Sequence, residues 1–143
     1  MKKLIALSCF LIVSVITMNL VSEKDAVNLP KYDSPPTAMV TVTMYNATEA
    51  QCDKDPLVTA GNYKINPANA SAHKYVALSR NLLKRWGGQF DYGDKVRISN
   101  TNHKDGIYTV ADTMNKRYKN RIDILESADT RWYKFENITI NKI

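Results

Sequence analysis

Two aspartates occupy positions where a charged side chain needs a reason. Asp123 interrupts the apolar set Ile122, Ile124 and Leu125, and Asp112 follows the β-branched run from Ile107 to Ala111. One reading turns Asp123 outward on a polar strand face, paired with Arg121 or Arg117. The other makes Asp112 and Asp123 neighbours at one mouth of a barrel, where two close carboxylates raise each other's proton affinity and keep an acid protonated near neutral pH. The second arrangement is one that general acid–base chemistry can use. His103, among Asn102, Lys104 and Asp105, reads as a solvated hairpin residue, whereas His73 lies in a polar loop before Tyr75, where it could line a site. Two histidines and two widely separated cysteines, Cys9 and Cys52, offer no metal-ligand spacing. A phosphate-cradling glycine loop and a nucleophile-elbow serine are both missing. Neither a metal nor a cofactor is expected, and Cys52, in a loop between Gln51 and Asp53, is expected to be an exposed thiol outside the mechanism.

The elements that must carry these carboxylates have β character. Val40 to Tyr45, Tyr75 to Leu78, Lys95 to Ser99, Ile107 to Ala111, Arg121 to Leu125 and Asn137 to Ile140 alternate or are rich in β-branched residues. Asp91-Tyr92-Gly93-Asp94 and Lys104-Asp105-Gly106 are turn signals, and the second joins two strands as a hairpin does. Two helical turns are expected, one from Arg80 to Trp86 stopped by Gly87-Gly88, the other capped by Ser127 and running through Asp129, Trp132 and Tyr133. Six or so short strands with small helices between them predict a mainly β, closed or nearly closed barrel.

The chain's 143 residues leave room for one folded domain, and a hydrophobic content of 44% excludes a disordered one. Lys2 and Lys3 precede an uncharged apolar run from Leu4 to Val21, which is followed by Glu23, Lys24 and Asp25. This is the pattern of an export segment, either a signal peptide cleaved near Ser22 or a retained anchor. Residues 23–38 carry three of the five prolines and read as a linker, which leaves 39–143 as the domain. Without residues 1–22 there are 18 basic and 14 acidic side chains, so the net charge falls from +6 to +4 and the basic character belongs to the domain. An anionic partner outside the membrane fits that charge. Nucleic acid does not, because the basic residues lack an interleaved aromatic strand face and the export segment argues against a cytoplasmic partner.

Residues Met39 to Ile143 resemble the three-aspartate (3D) family of double-psi β-barrels, which includes peptidoglycan lytic transglycosylases, and are more distantly similar to rare-lipoprotein-A-like barrels. The resemblance rests on an ordered set: Thr43-Met44-Tyr45-Asn46, Thr59-Ala60-Gly61, Val76-Ala77-Leu78, Tyr92-Gly93-Asp94-Lys95-Val96, Tyr108 to Thr113 and Arg121 to Ile124. Asp112 and Asp123 keep the spacing of the family's second and third aspartates. The chain departs from the family at Ser79-Arg80, where the first aspartate is expected, and at Met114 to Asn120, which replaces a glycine-rich segment. The resemblance implies a six-stranded double-psi barrel with short helices, exported to the periplasm, the cell exterior or a membrane anchor facing the wall. It implies cleavage of the bond between N-acetylmuramic acid and N-acetylglucosamine with 1,6-anhydro ring closure, with Asp123 as acid/base and Asp112 tuning it or holding the sugar. Tyr45, Thr59, Gly61, Ser79 and Thr113 are then expected to contact the glycan strand. The membrane would be met only through an uncleaved N-terminal segment. A non-catalytic glycan-binding barrel is the alternative, and the export segment together with a cell-wall activity would also suit a phage lysis protein.

Overall fold

A computed structural model describes residues 33–52 and 55–143. The expected export segment and most of the linker lie outside the described residues. Six strands follow one another along the chain: β1 (Thr37–Asn46), β2 (Tyr75–Leu78), β3 (Lys95–Ile98), β4 (Gly106–Thr113), β5 (Arg121–Glu126) and β6 (Phe135–Lys142). They close in the order β1-β5-β2-β4-β3-β6, so every strand is paired on both sides. The β1–β5 and β2–β4 pairs are parallel and the other four antiparallel. The mainly β, six-stranded closed barrel expected from the strand pattern is present.

Alternation along the strands explains the interior. Val42 and Met44 of β1, Val76 and Leu78 of β2, Val96 and Ile98 of β3, and Ile122 and Ile124 of β5 all enter one core. Tyr108 and Val110 of β4 and Ile138 and Ile140 of β6 complete it. Filling the bore of a six-stranded barrel with branched side chains leaves no channel. The opposite faces of β1, β2 and β5 supply Tyr45, Ala77 and Leu125 to a second, smaller cluster with Ile65, Ala70 and Met114. That outer face is covered by chain between the strands.

The hairpin at Lys104-Asp105-Gly106 joins β3 to β4, and the Asp105 carboxylate accepts hydrogen bonds from the Asn100 and Thr101 amides and from the Thr101 hydroxyl. The helical stretch expected at Arg80 to Trp86 is present as short 3-10 turns, and the one expected after Ser127 does not form. Arg80–Leu82 and Lys84–Trp86 are separate 3-10 turns, split at Leu83, whose backbone is extended. Leu83 forms an isolated parallel bridge with Phe90, and the Lys84 amide donates to the Phe90 carbonyl at 2.7 Å, so the backbone there pairs across the loop rather than within a helix. Gly87 still ends the segment with φ +90°. Past Ser127 the chain turns and runs extended into β6; Ser127 is held instead by hydrogen bonds with Ser71. A 3-10 segment at Pro67–His73, started by Asn66 accepting from the Ala68 amide, lies where a loop was expected.

Candidate active site

The strand registers bring four residues into one row across the outer face of the barrel wall. Thr43 of β1 pairs with Asp123 of β5, Asp123 with Ala77 of β2, and Ala77 with Asp112 of β4. Register partners point to the same side of a sheet, so the row reads threonine, carboxylate, methyl, carboxylate. Asp112 owes its place to an irregularity. Val76 pairs with Val110 but Ala77 pairs with Asp112, so Ala111 is an extra residue in β4. Strict alternation from Tyr108 and Val110 would have sent Asp112 into the core, and the bulge turns it to the outer face.

The aspartates therefore meet in one site, at a different place and for a different reason from those expected. They flank Ala77 on the wall rather than standing side by side at a mouth of the barrel, with their Cα atoms two interstrand spacings, roughly 10 Å, apart. Burial raises the Asp123 carboxyl above its ordinary range, against the opposing effects of the Thr43 hydroxyl and the Arg121 charge. The Thr43 hydroxyl donates to Asp123 Oδ1.

Asp112 acts as a clamp. Its Oδ1 accepts from the Ala60 amide at 2.9 Å and the Thr113 amide at 2.8 Å, and Oδ2 takes a long contact of 3.4 Å from the Tyr45 hydroxyl. Burial, then the neighbouring Asp112 charge, pushes the Tyr45 phenol far above its ordinary value, so it stays a neutral donor. Gly61 seats the same loop, its amide donating to the Ala111 carbonyl at 2.9 Å. A Cβ there would lie 2.7 Å from that carbonyl oxygen.

These side chains line an open cleft of about 810 Å³. Of the residues named from the sequence, Asp112, Asp123, Tyr45 and Thr113 line it, while Thr59, Gly61 and Ser79 do not. Thr59 is buried and its hydroxyl accepts from the Tyr63 amide. Ser79 is fully buried, donates to Asn81 Oδ1 and accepts from the Arg121 amide. Gly61 packs against β4. All three are spent on holding the wall and its loop. His73 accepts the Asn66 amide through Nε2 at 2.8 Å and stacks on Tyr75, which makes it part of the loop's framework. Cys52 is half-buried and lines the cleft, whereas an exposed position was expected. His103 is exposed, as expected, with its ring edge-on to Tyr133 and Phe135.

Sequence reasoning missed Thr43, Ala77 and the rim. The alternation of Val40, Val42 and Met44 already places Thr43 and Tyr45 together on the opposite face, so that signal was available. The rim carries Trp86, Trp132, Tyr92 and Tyr118 with a set of arginines. No group of three or more metal-ligating side chains occurs among the described residues. No protein-family model matches this chain, and no curated protein matches it.

Proposed function

We propose that this chain is a peptidoglycan lytic transglycosylase built on a three-aspartate, double-psi type of barrel and working outside the cytoplasmic membrane. The observation that carries this reading is a half-buried Asp123, its proton affinity raised by burial, in an open cleft edged with aromatic side chains. The two parallel pairs in the closed barrel, β1–β5 and β2–β4, support the double-psi crossover. Exposed Trp132 offers a flat apolar face of the kind on which sugar rings stack.

The reaction needs one carboxyl group. Protonated Asp123 donates to the glycosidic oxygen as the bond from muramic C1 breaks. The resulting carboxylate takes the proton of the muramic C6 hydroxyl, whose oxygen closes on C1. The anhydro ring forms, no water is consumed, and Asp123 returns to its protonated form. The separation of the two aspartates is consistent with this scheme, because no second carboxylate acts as nucleophile. Asp112 holds the loop at Ala60 and orients Tyr45 towards the cleft.

The test is release of anhydro-ended muropeptides from purified peptidoglycan by the wild type and by Asp123→Asn. The variant keeps shape and hydrogen bonding but carries no exchangeable acid, and its rate is expected to fall by at least about 10²-fold. Undiminished release would remove Asp123 from the reaction. Sedimentation with insoluble peptidoglycan without release by the wild type would favour the non-catalytic glycan-binding barrel, a reading supported by Arg80 standing beside the position where the family resemblance leads one to expect an acid.

A further inference from the structure

Four arginines converge on the cleft, and among the described residues none of them makes an ion pair with an acid, the Arg121 charge acting on Asp123 without one. The ion pairs among the described residues all use lysine: Lys104–Glu126, Lys134–Glu136 and Lys142–Asp94. The cleft arginines are held by aromatic rings. Arg80 and Arg85 both lie over Trp86, at 5.1 and 4.6 Å from the ring centroid. Arg117 and Arg121 both lie over Tyr118, at 4.8 and 4.9 Å, and Arg117 Nη2 also donates to the Tyr118 hydroxyl at 2.8 Å. Each ring thus carries two guanidinium groups, and all six residues line the same cleft as Asp123.

Stacking on an aromatic face orients a guanidinium without consuming its in-plane N–H fork, which stays available for a planar two-oxygen acceptor. Two like charges gathered at one ring repel one another, and an anion between them removes that repulsion. One donor is already committed to burial without an acceptor: Arg80 Nε is inaccessible to solvent and makes no hydrogen bond.

We infer that the two arginine–aromatic stacks form a carboxylate-binding subsite that selects acidic glycan strands over neutral ones of the same backbone. The inference rests on the glycan-cleft reading but concerns recognition rather than bond cleavage. A strand of alternating N-acetylglucosamine and N-acetylmuramic acid supplies such carboxylates from two sources. When no peptide is attached, the lactyl group of each muramic residue ends in a free carboxylate; when a stem peptide is attached, that carboxyl becomes an amide and the charge moves to the peptide. Lysines in place of these arginines would supply point charges without the fork.

Binding is measured by tryptophan fluorescence of the full chain, whose two tryptophans, Trp86 and Trp132, both line the cleft. The Asp123→Asn background is used so that strands are not consumed. The probes are chito-oligosaccharide, peptide-free glycan strands and peptide-bearing strands of matched length, each titrated at low and moderate salt. An acidic strand is expected to bind about tenfold or more tighter than the chito-oligosaccharide, the weight of one charge-assisted fork contact. Tighter binding of peptide-free strands assigns the lactyl carboxylate, and tighter binding of peptide-bearing strands assigns the stem. Arg80→Gln with Arg117→Gln is expected to abolish the preference while leaving chito-oligosaccharide affinity unchanged, and Arg80→Lys with Arg117→Lys to restore only part of it. Equal affinity for neutral and acidic strands overturns the inference, as does a preference that survives in the glutamine double variant or the absence of binding to every probe. Catalysis is scored separately in the wild type, so a chain that prefers acidic strands but releases no anhydro ends upholds the subsite and rejects the transglycosylase.

Discussion

At the scale of single residues, the site depends on competing influences at Asp123. Burial raises the proton affinity of its carboxyl, and the Thr43 hydroxyl and the Arg121 charge pull in the opposite direction. Thr43 is itself buried, so replacing it with valine exchanges a hydroxyl for a methyl of similar volume and removes the donor from the carboxylate. With that hydrogen bond gone, the carboxylate form loses support and the Asp123 pKa moves further up. A general acid works while protonated. In Thr43→Val the alkaline limb of the pH–kcat profile for anhydro-muropeptide release is therefore expected to shift to higher pH, with binding of peptidoglycan retained. A limb that stays in place or moves to lower pH would show that Thr43 does not control the proton on Asp123.

At the scale of elements, the loop around Ala60 and strand β4 form one unit. The Ala60 and Gly61 amides donate to Asp112 Oδ1 and the Ala111 carbonyl, on either side of one peptide link. Gly61 is required there by distance alone, because the clashing atom is backbone and has no rotamer to change. Gly61→Ala is expected to push the loop off β4, at a cost of about 1–3 kcal/mol in urea unfolding. The loss should be accompanied by weaker glycan binding as Asp112 and Tyr45 lose their seating. A variant of unchanged stability would mean that this close approach is relaxed in solution.

The barrel as a whole carries an acid-sensitive joint away from the cleft. Glu126, at the end of β5 and only 3% exposed, receives Lys104 at 2.6 Å, the Ser71 hydroxyl at 2.6 Å and the Tyr133 hydroxyl at 2.7 Å. It ties together β5, the Pro67–His73 turn, the β3–β4 hairpin and the segment leading into β6. Burial alone would raise its carboxyl, but the three donors and the Lys104 charge outweigh burial and hold it below its ordinary value of 4.5. A depressed carboxyl stabilises the fold above its unfolded pKa, and that contribution is lost as pH falls through the folded one. Glu126→Gln is expected to cost about 2 kcal/mol at pH 7. The difference from wild type should shrink in urea titrations carried below pH 4.5, and a constant difference across pH would contradict the account.

Local sterics made much of this architecture legible in the sequence. Apolar alternation at Val76 and Leu78, or at Ile122 and Ile124, places a strand and its buried face without knowledge of any partner, because successive side chains must point to opposite sides. The same alternation marked Asp123 as an outward charge, and Lys104-Asp105-Gly106 marked the hairpin. Other features exist only after the barrel closes. The helical stretch at Arg80 to Trp86 is split in two where Leu83, extended and bridged to Phe90, joins the core assembled from distant strands. The face chosen by Asp112 depends on the Ala111 bulge, which is defined only against β2. Thr43, Asp123, Ala77 and Asp112 come from four strands, and their row is a consequence of long-range register. Pattern along the chain determined where the strands are and which side chains face away from the core. The tertiary structure decided which of those side chains meet, because pairing and register minimise the free energy of the closed sheet as a whole, which no short stretch of chain encodes.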